Sequence, residues 1–220
     1  MCGRFTQYYT WREIHELYGL VGPARDVEPR YNIAPTTTID VIIPSVDGLQ
    51  LIPMRWGLVP AWWNKPLREA PASFNADAES VAEELMFRSA FKSRRCLIPA
   101  SGFYEWKTID GENQPFYITA TDGTVLTIAS LHEEWKEPGG GLLRSCTMIT
   151  TSANDFMAPI HNRMPVFLAA HQFASWLSGE TEIMPPVQYG LLNAAPVSPK
   201  VNAEANQGAE LVAPLTPPPP

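Results

Sequence analysis

Apolar residues occur along the chain in short runs separated by polar residues, and most of these runs have the composition of β-strands. Six runs are rich in β-branched and aromatic residues and are bounded by Gly, Pro or Asp, which predicts six strands. They are 38–44, 49–59, 115–121, 124–131, 143–151 and 164–169. Apolar residues recur at helical spacing in three other stretches, and this predicts helices at 11–20, 81–95 and 169–177.

Many strands with few helices between them favour an α+β fold: a mainly antiparallel, partly closed, barrel-like β-sheet with short peripheral helices. The sequence has no visible internal repeat, and 220 residues with 45% hydrophobic content suit a single domain with a sizeable core. We place this domain at residues 1–212. The tail at 213–220 ends in four prolines, which cannot donate backbone hydrogen bonds, and we expect it to be disordered.

Composition and charge narrow the classes of function. The formal net charge of −7 argues against a nonspecific binder of long duplex DNA, because such proteins are usually basic. We expect no transmembrane helix, since no apolar run reaches about 18 residues, and no signal peptide. The three cysteines are widely spaced, which suggests neither a disulfide framework nor a zinc site. We therefore expect a reducing, cytoplasmic compartment and no metal or other cofactor.

Three tightly turned, otherwise apolar stretches contain polar residues that suit proton transfer. Glu105 lies between Tyr104 and Trp106, and a carboxyl beside aromatic surface loses hydration, which raises its pKa towards neutral. His161 lies between two prolines and belongs to the residue type that titrates near pH 7. Asn75 could orient an amine or polarise a carbonyl oxygen. On the residues alone, an outward strand position, a loop histidine and a turn asparagine remain open as alternatives.

The stretch WGLVPAWW at 56–63 concentrates three tryptophans around a glycine and a proline. At least one of these rings should pack in the core. Neighbouring side chains on a strand point to opposite faces, so Trp62 and Trp63 should not both be buried in the same core. An exposed indole at this position could support a nucleobase by stacking.

The chain begins MCGRF, with a cysteine directly behind its first methionine. Removal of Met1 would leave Cys2 with a free α-amine and a thiol on adjacent carbons. Such a 1,2-aminothiol reacts with an aldehyde in a way that no internal cysteine can. A chance cysteine in a frayed terminus is the alternative that these five residues leave open.

Seven stretches together resemble the SOS-response-associated peptidase (SRAP) family, whose members are also described as abasic-site processing proteins. The resemblance runs almost from end to end, and the combination of MCGR with GFYEWK and IHxRMP is highly specific. The seven stretches are MCGRF at 1–5, RYNIAPT at 30–36, WGLVPAWW at 56–63, FNADAES at 74–80, CLIPASGFYEWK at 96–107, APIHNRMPVFL at 158–168 and NQGAEL at 206–211.

The resemblance implies an SRAP-like fold and a specific chemistry. Family members remove their own first methionine, bind single-stranded DNA, especially at junctions with duplex, and attack abasic sites. The roles implied here are Cys2 as the nucleophile that closes a thiazolidine crosslink, Asn75 as its positioning group, Glu105 as acid or base, and His161 as proton donor. The implied DNA contacts are Arg4, Asn32, Trp62, Trp63 and Arg163. We further expect a monomer without membrane association, located in the cytoplasm and at the nucleoid when bound to damaged DNA.

One position departs from the family pattern. The family commonly has an arginine two residues after the active-site asparagine, whereas this chain has Asp77. An arginine would bind a phosphate and an aspartate repels it, so we expect weaker DNA binding or compensation by a basic residue such as Arg68 or Arg88.

Two other functions compete with this interpretation. A cysteine peptidase acting on other proteins would use Cys2 as thiolate and His161 as base, and it predicts a cleft for an extended peptide. A noncatalytic single-strand binder would use the tryptophans and arginines, and its activity would survive Cys2→Ala. A metal site built from Cys2, Cys96 and His161 has no support from ligand spacing.

Overall fold

The computed structural model describes residues 2–180 and 192–215, and these residues form twelve strands, three α-helices and four short 3₁₀ helices. The strands are β1 Arg4–Gln7, β2 Arg30–Ile33, β3 Thr38–Ser45, β4 Gly48–Trp56, β5 Asn75–Asp77, β6 Arg95–Ala100, β7 Gly102–Ile109, β8 Glu112–Ala120, β9 Leu126–Lys136, β10 Leu142–Ser152, β11 Arg163–Pro165 and β12 Leu192–Pro196. The α-helices are α1 Trp11–Tyr18, α2 Arg88–Ser93 and α3 Phe173–Ser178.

The strands form two sheets that are mainly antiparallel. One sheet has five strands in the order β12–β8–β7–β1–β2. In the other sheet β10, β4, β3, β6 and β9 pair in turn and β9 pairs back to β10, so that these five strands close a ring. β5 and β11 pair with β10, and the parallel strand pairings are those of β10 with β4 and with β5. The α+β, mainly antiparallel and partly closed fold is therefore confirmed.

Local sequence signals located α1 and five strands correctly. Thr10 and Glu13 form a capping box at the start of α1, and Gly19 ends the helix in the left-handed region with φ of 63°. The five strands expected between residues 38 and 151 correspond to β3, β4, β8, β9 and β10. In these segments the local preference and the tertiary environment agree.

The helix expected at 81–95 is wrong over its first half. Residues 81–87 form separate turns, and α2 begins only at Arg88. A continuous helix would place Leu85 beside the buried Val81, but Leu85 is 58% exposed. Val81 and Phe87 are therefore buried from separate turns and not along one helical face.

Two further elements differ from the expected ranges. Of the strand expected at 164–169, only Met164 and Pro165 belong to β11; beyond them Val166 N donates to Ile149 O and Leu168 N to Thr127 O. This segment therefore bonds alternately to β10 and β9 and does not extend along one partner. The helix expected at 169–177 is a 3₁₀ helix at Ala170–Gln172 followed by α3.

Six strands were not predicted: β1, β2, β5, β6, β7 and β12. β1, β2 and β5 have only three or four residues, too few for a recognisable alternation. β7 begins at Gly102 and buries its first four residues in succession, because both of its faces are covered. The alternation of apolar and polar residues that predicts a strand is therefore absent from β7, the strand that contains Glu105.

Two apolar clusters form the main core. The first contains all three cysteines together with side chains such as Trp56 and Phe5, whose rings meet edge to face at 5.1 Å. The second joins the three α-helices to the ring strands, with Tyr18 of α1 stacked on Phe173 of α3 at 5.2 Å. The helices are therefore peripheral, as the sequence indicates.

The chain stays packed three residues beyond the expected domain end at 212. Leu215 N donates to Pro196 O at 2.8 Å, and Pro214 forms an isolated antiparallel β-bridge with Val197. The rest of the expected disordered tail, 216–220, lies outside the described residues, as do residues 1 and 181–191. Within the described ranges, no helix has the length and apolar character needed to cross a membrane.

Candidate active site

The strand register brings the four predicted catalytic residues to one end of the sheets. β1 pairs with β7 so that Arg4 faces Tyr104, which places Cys2 just beyond the end of β1 and close to Glu105. Asn75 is the first residue of β5 and lies opposite Met148 of β10. On the other side of β10, β11 pairs Arg163 with Ser152, and His161 precedes β11 by two residues.

Cys2 is fully buried, and its backbone is held by Asn75. The side-chain amide Nδ2 of Asn75 donates a hydrogen bond to the carbonyl oxygen of Cys2 at 2.8 Å. Burial raises the pKa of the Cys2 thiol well above its usual value, so the sulfur is a neutral thiol at pH 7. Among the described residues, Asn75 Oδ1 is buried and has no hydrogen-bond partner. This acceptor is therefore available to an N–H group that enters the site.

Glu105 is 2% exposed, and burial raises its pKa to about 7. Its Oε2 lies 3.9 Å from Nε2 of His161, and Oε1 has no hydrogen-bond partner within the described part of the chain. The direction of the pKa shift agrees with the prediction from its aromatic neighbours. A carboxyl with this pKa takes up and releases protons readily at neutral pH.

His161 is held in one tautomer by the backbone. The N–H of Arg163 donates to His161 Nδ1 at 3.0 Å. The oxygen of Arg163 also lies 3.2 Å from Nδ1, but a backbone N–H can only donate, so Nδ1 accepts. The proton of the neutral ring is then on Nε2, which faces Glu105. Burial also lowers the pKa of His161, which favours this neutral form at pH 7.

Arg4 and Asn32 are bonded to the C-terminal segment. Nη1 of Arg4 donates to Asn32 Oδ1 and to Val201 O, both at 2.7 Å. Nδ2 of Asn32 donates to the carbonyl oxygens of Val201, Ala203 and Asn206, and Asn32 is only 2% exposed. Both side chains therefore connect β1 and β2 to residues 201–206. Their predicted contact with DNA stays a prediction.

Trp62 and Trp63 lie beyond the end of β4, in a turn, so the expectation that they are neighbours on a strand is wrong. Trp62 is 51% exposed, whereas Trp63 is partly buried and accepts a hydrogen bond on its backbone oxygen from Trp135 Nε1. Trp56 is the fully buried ring of this stretch. One exposed indole is thus present, as the stacking hypothesis requires.

Arg163 is bound by two carboxylates. Its guanidinium donates to both oxygens of Glu79 at 2.8 and 2.9 Å and to Asp77 Oδ1 at 2.7 Å. It also donates to Thr150 O at 2.9 Å. These hydrogen bonds lower the pKa of Glu79 to about 2. Sequence reasoning did not pair Arg163 with these groups, because ion pairs between distant segments leave no local signal.

No metal site accompanies this arrangement in residues 2–180 and 192–215, where no three His, Cys, Asp or Glu side chains lie together suitably. The chemistry that the site offers is proton transfer beside a held cysteine.

Comparison with known proteins agrees with the sequence resemblance. The family model for SOS response associated peptidase (SRAP) matches residues 1–204. The chain is 36% identical to the abasic site processing protein YoaM of Bacillus subtilis, over 96% of this chain and 97% of that protein. It is 32% identical to the abasic site processing protein YedK of Escherichia coli, over 98% of this chain and 100% of that protein.

A solved structure has the same fold. A crystal structure of a protein from Bacteroides thetaiotaomicron superimposes with a TM-score of 0.85 and covers 98% of this chain and 100% of that chain, at 19% sequence identity. At this level of identity the match concerns the fold alone.

Proposed function

Because this chain belongs to the SOS response associated peptidase (SRAP) family, we propose that it removes its own first residue and then captures abasic sites in single-stranded DNA as a covalent crosslink. The names of its relatives state abasic site processing. The observation that supports the proposal most is the 2.8 Å hydrogen bond from Asn75 to the Cys2 backbone, beside Glu105. It holds the residue that becomes the new terminus next to a group able to exchange protons.

The first step is hydrolysis of the Met1–Cys2 peptide bond. Water gives its oxygen to the methionine carbonyl carbon, and the nitrogen of Cys2 becomes a free amine. Glu105, with its pKa near 7, carries the proton from the attacking water to the departing nitrogen. Asn75 fixes the Cys2 carbonyl during this step, so the new amine stays beside Glu105.

The second step joins the amine and the thiol of Cys2 to one carbon of the lesion. An α-amine has a pKa of roughly 8, so a useful fraction is uncharged at neutral pH and attacks the aldehyde of the ring-opened sugar. The carbinolamine loses one water when Glu105 or His161 supplies a proton, which gives an imine. The thiol then adds to the imine carbon and closes a five-membered thiazolidine, a step favoured by proximity.

His161 assists the opening of the sugar and the reversal of the crosslink. Its neutral tautomer has its proton on Nε2, 3.9 Å from Glu105 Oε2, so the ring can donate a hydrogen bond to a sugar oxygen that enters this space while Glu105 supplies and takes up the proton. Trp62 offers an exposed indole for base stacking along the single strand. Arg4, Asn32 and Trp63 complete the proposed DNA contacts, and Arg163 joins them where a phosphate displaces its carboxylate partners, with a monomer acting at single-strand/duplex junctions.

The test combines intact mass with crosslinking. The purified wild-type protein should lack the mass of one methionine and should form, with single-stranded DNA containing an abasic site, an adduct that survives a denaturing gel. Cys2→Ala should abolish this adduct. Cys2→Ser keeps an α-amine without a thiol, so it should yield only an imine that borohydride must trap.

Normal crosslinking by Cys2→Ala would show that the nucleophile is wrongly assigned. A wild-type protein that binds single strands without any adduct would instead support the noncatalytic binder. Cleavage of unrelated protein substrates, lost in Cys2→Ala, would support the cysteine peptidase.

A further inference from the structure

Asp77 lies on the same face of β5 as Asn75. The strand runs Asn75–Asp77, and side chains two residues apart on a strand point to the same side, about 7 Å apart along it. Asn75 contacts Cys2, and the Asp77 side chain is 53% exposed. If a sugar joins Cys2 as proposed, a phosphate that continues from it along β5 approaches this carboxylate.

The guanidinium that contacts Asp77 already has several partners. Arg163 donates to Asp77 at 2.7 Å and to both oxygens of Glu79, and its side chain is only 18% exposed. Two carboxylates and one guanidinium give this cluster a net charge of −1. A phosphate approaching it meets an excess of negative charge, and both terminal guanidinium nitrogens already donate to carboxylates, while Nε is buried and does not face the phosphate from an exposed position.

Within the cluster of Asp77, Glu79 and Arg163, the two carboxylates make different additional contacts. Glu79 also accepts from the backbone N–H of Ser152 at 3.3 Å, so it attaches the turn after β5 to β10. Asp77 adds one hydrogen bond from the Thr150 hydroxyl at 3.2 Å and otherwise contributes its charge to the exposed edge. Asp77 is thus the member whose charge can be removed with the least effect on the fold.

We propose that Asp77 is a specificity-determining residue: it withholds Arg163 from the phosphate beside the lesion and thereby favours strands that end at the abasic sugar over strands that continue past it. This inference rests on the proposed function, because it places the abasic sugar at Cys2. The two kinds of strand differ in one chemical group: a phosphodiester that is present or absent on the side of the abasic sugar that faces Asp77.

The test compares affinities for three single strands of equal length that contain tetrahydrofuran, an unreactive analogue of the abasic sugar. One strand has it internally, one at the 5′ end and one at the 3′ end, each end as a free hydroxyl. The proteins are the wild type, Asp77→Asn, and Glu112→Gln as a control that makes the same change in net charge on the exposed β7–β8 hairpin.

Asp77→Asn should tighten binding of the internal strand about 5–10-fold, the effect of about one screened unit-charge repulsion at short range. The affinity for the strand that lacks the phosphate on the Asp77 side should not change. The ratio of the two affinities should therefore shift by the same factor. Glu112→Gln should leave all ratios unchanged. An equal gain on all three strands, or no gain on any, would refute the role of Asp77.

Crosslinking of authentic abasic strands, measured in parallel, separates this inference from the proposed function. If the wild type forms no adducts but the affinity ratios are as expected, the proposed crosslinking chemistry is wrong and the role of Asp77 still holds. Normal adducts with unchanged ratios contradict only the role of Asp77. A wild type that binds none of the strands contradicts both.

Discussion

At the scale of single residues, the site depends on a carboxyl kept out of water. Glu105 is flanked in sequence by Tyr104 and Trp106 and lies on a strand with both faces covered. Burial raises its pKa to about 7, which suits proton transfer but works against folding. The unfolded chain ionises this group above pH 4.5 or so, whereas the folded protein keeps the proton until near pH 7.

We therefore predict that Glu105→Gln stabilises the protein at neutral pH while it impairs crosslinking. A raised carboxyl pKa removes stability as the pH rises from about 4.5 to about 7, by on the order of 3 kcal/mol, and the glutamine avoids this loss. Thermal unfolding at pH 8 should occur several degrees higher than in the wild type, and the difference should vanish near pH 4.

Glu112→Gln is the matched control for this pH profile, because its side chain is exposed. Equal unfolding temperatures for Glu105→Gln and the wild type at pH 8 would mean that Glu105 is not destabilised by burial.

At the scale of elements, β7 determines where Glu105 lies. β7 pairs with β1 on one side and β8 on the other, and Gly102 starts it at a point of close approach. A Cβ at position 102 would lie 2.4 Å from the Tyr117 hydroxyl oxygen and 2.7 Å from the backbone oxygen of Ile118. The Tyr117 hydroxyl is bonded to Thr6 Oγ1 at 2.7 Å, so it cannot easily move away.

Gly102→Ala should consequently lower the free energy of unfolding by about 1–3 kcal/mol and slow both self-processing and crosslinking. The reason is that β7 must shift away from β8, and it carries Glu105 with it. Chemical denaturation and a crosslinking time course measure the two effects.

Gly141→Ala provides the control, since its new Cβ would meet only the Glu137 side chain, whose flexible carboxylate lies 3.2 Å away and whose Cβ lies at an ordinary contact distance of 3.7 Å. If Gly102→Ala were as stable and as active as Gly141→Ala, the close packing of β7 would not position the site.

At the scale of the whole molecule, strands β1 and β2 meet the segment at 201–207. Arg4 and Asn32 bind backbone oxygens of residues 201–206, which lie 169–197 residues further along the chain. Gln207 returns a hydrogen bond to Asn32 O at 2.9 Å. The C-terminal segment therefore supports the strand from which Cys2 projects, and it couples the N-terminus to the fold as a whole.

This contact predicts that Asn32→Ala destabilises the protein by about 1–3 kcal/mol, because the oxygens of Val201, Ala203 and Asn206 lose their shared donor. Denaturation in urea without DNA gives the measurement. Asn113→Ala, the same change on the exposed hairpin, should have little effect. Unchanged stability of Asn32→Ala, with a loss of DNA affinity, would assign Asn32 to DNA contact alone.

The sequence by itself determined the features that arise from near neighbours. Thr10 and Glu13 fix the start of α1, β-branched runs mark the ring strands, and the aromatic neighbours of Glu105 predict its raised pKa. The family motifs also carried the resemblance that the comparisons confirm. These signals are legible because the interacting residues lie within a few positions of one another.

Only the tertiary structure decided which distant groups meet. The closure of the ring by β9 and β10, the hydrogen bond from Asn75 to Cys2 across 73 residues, and the binding of Arg163 by Asp77 and Glu79 have no periodic signature in the chain. Short strands such as β5 owe their conformation to their partners and not to their own composition. The physical reason is that such contacts depend on strand register and packing, which a local pattern does not specify.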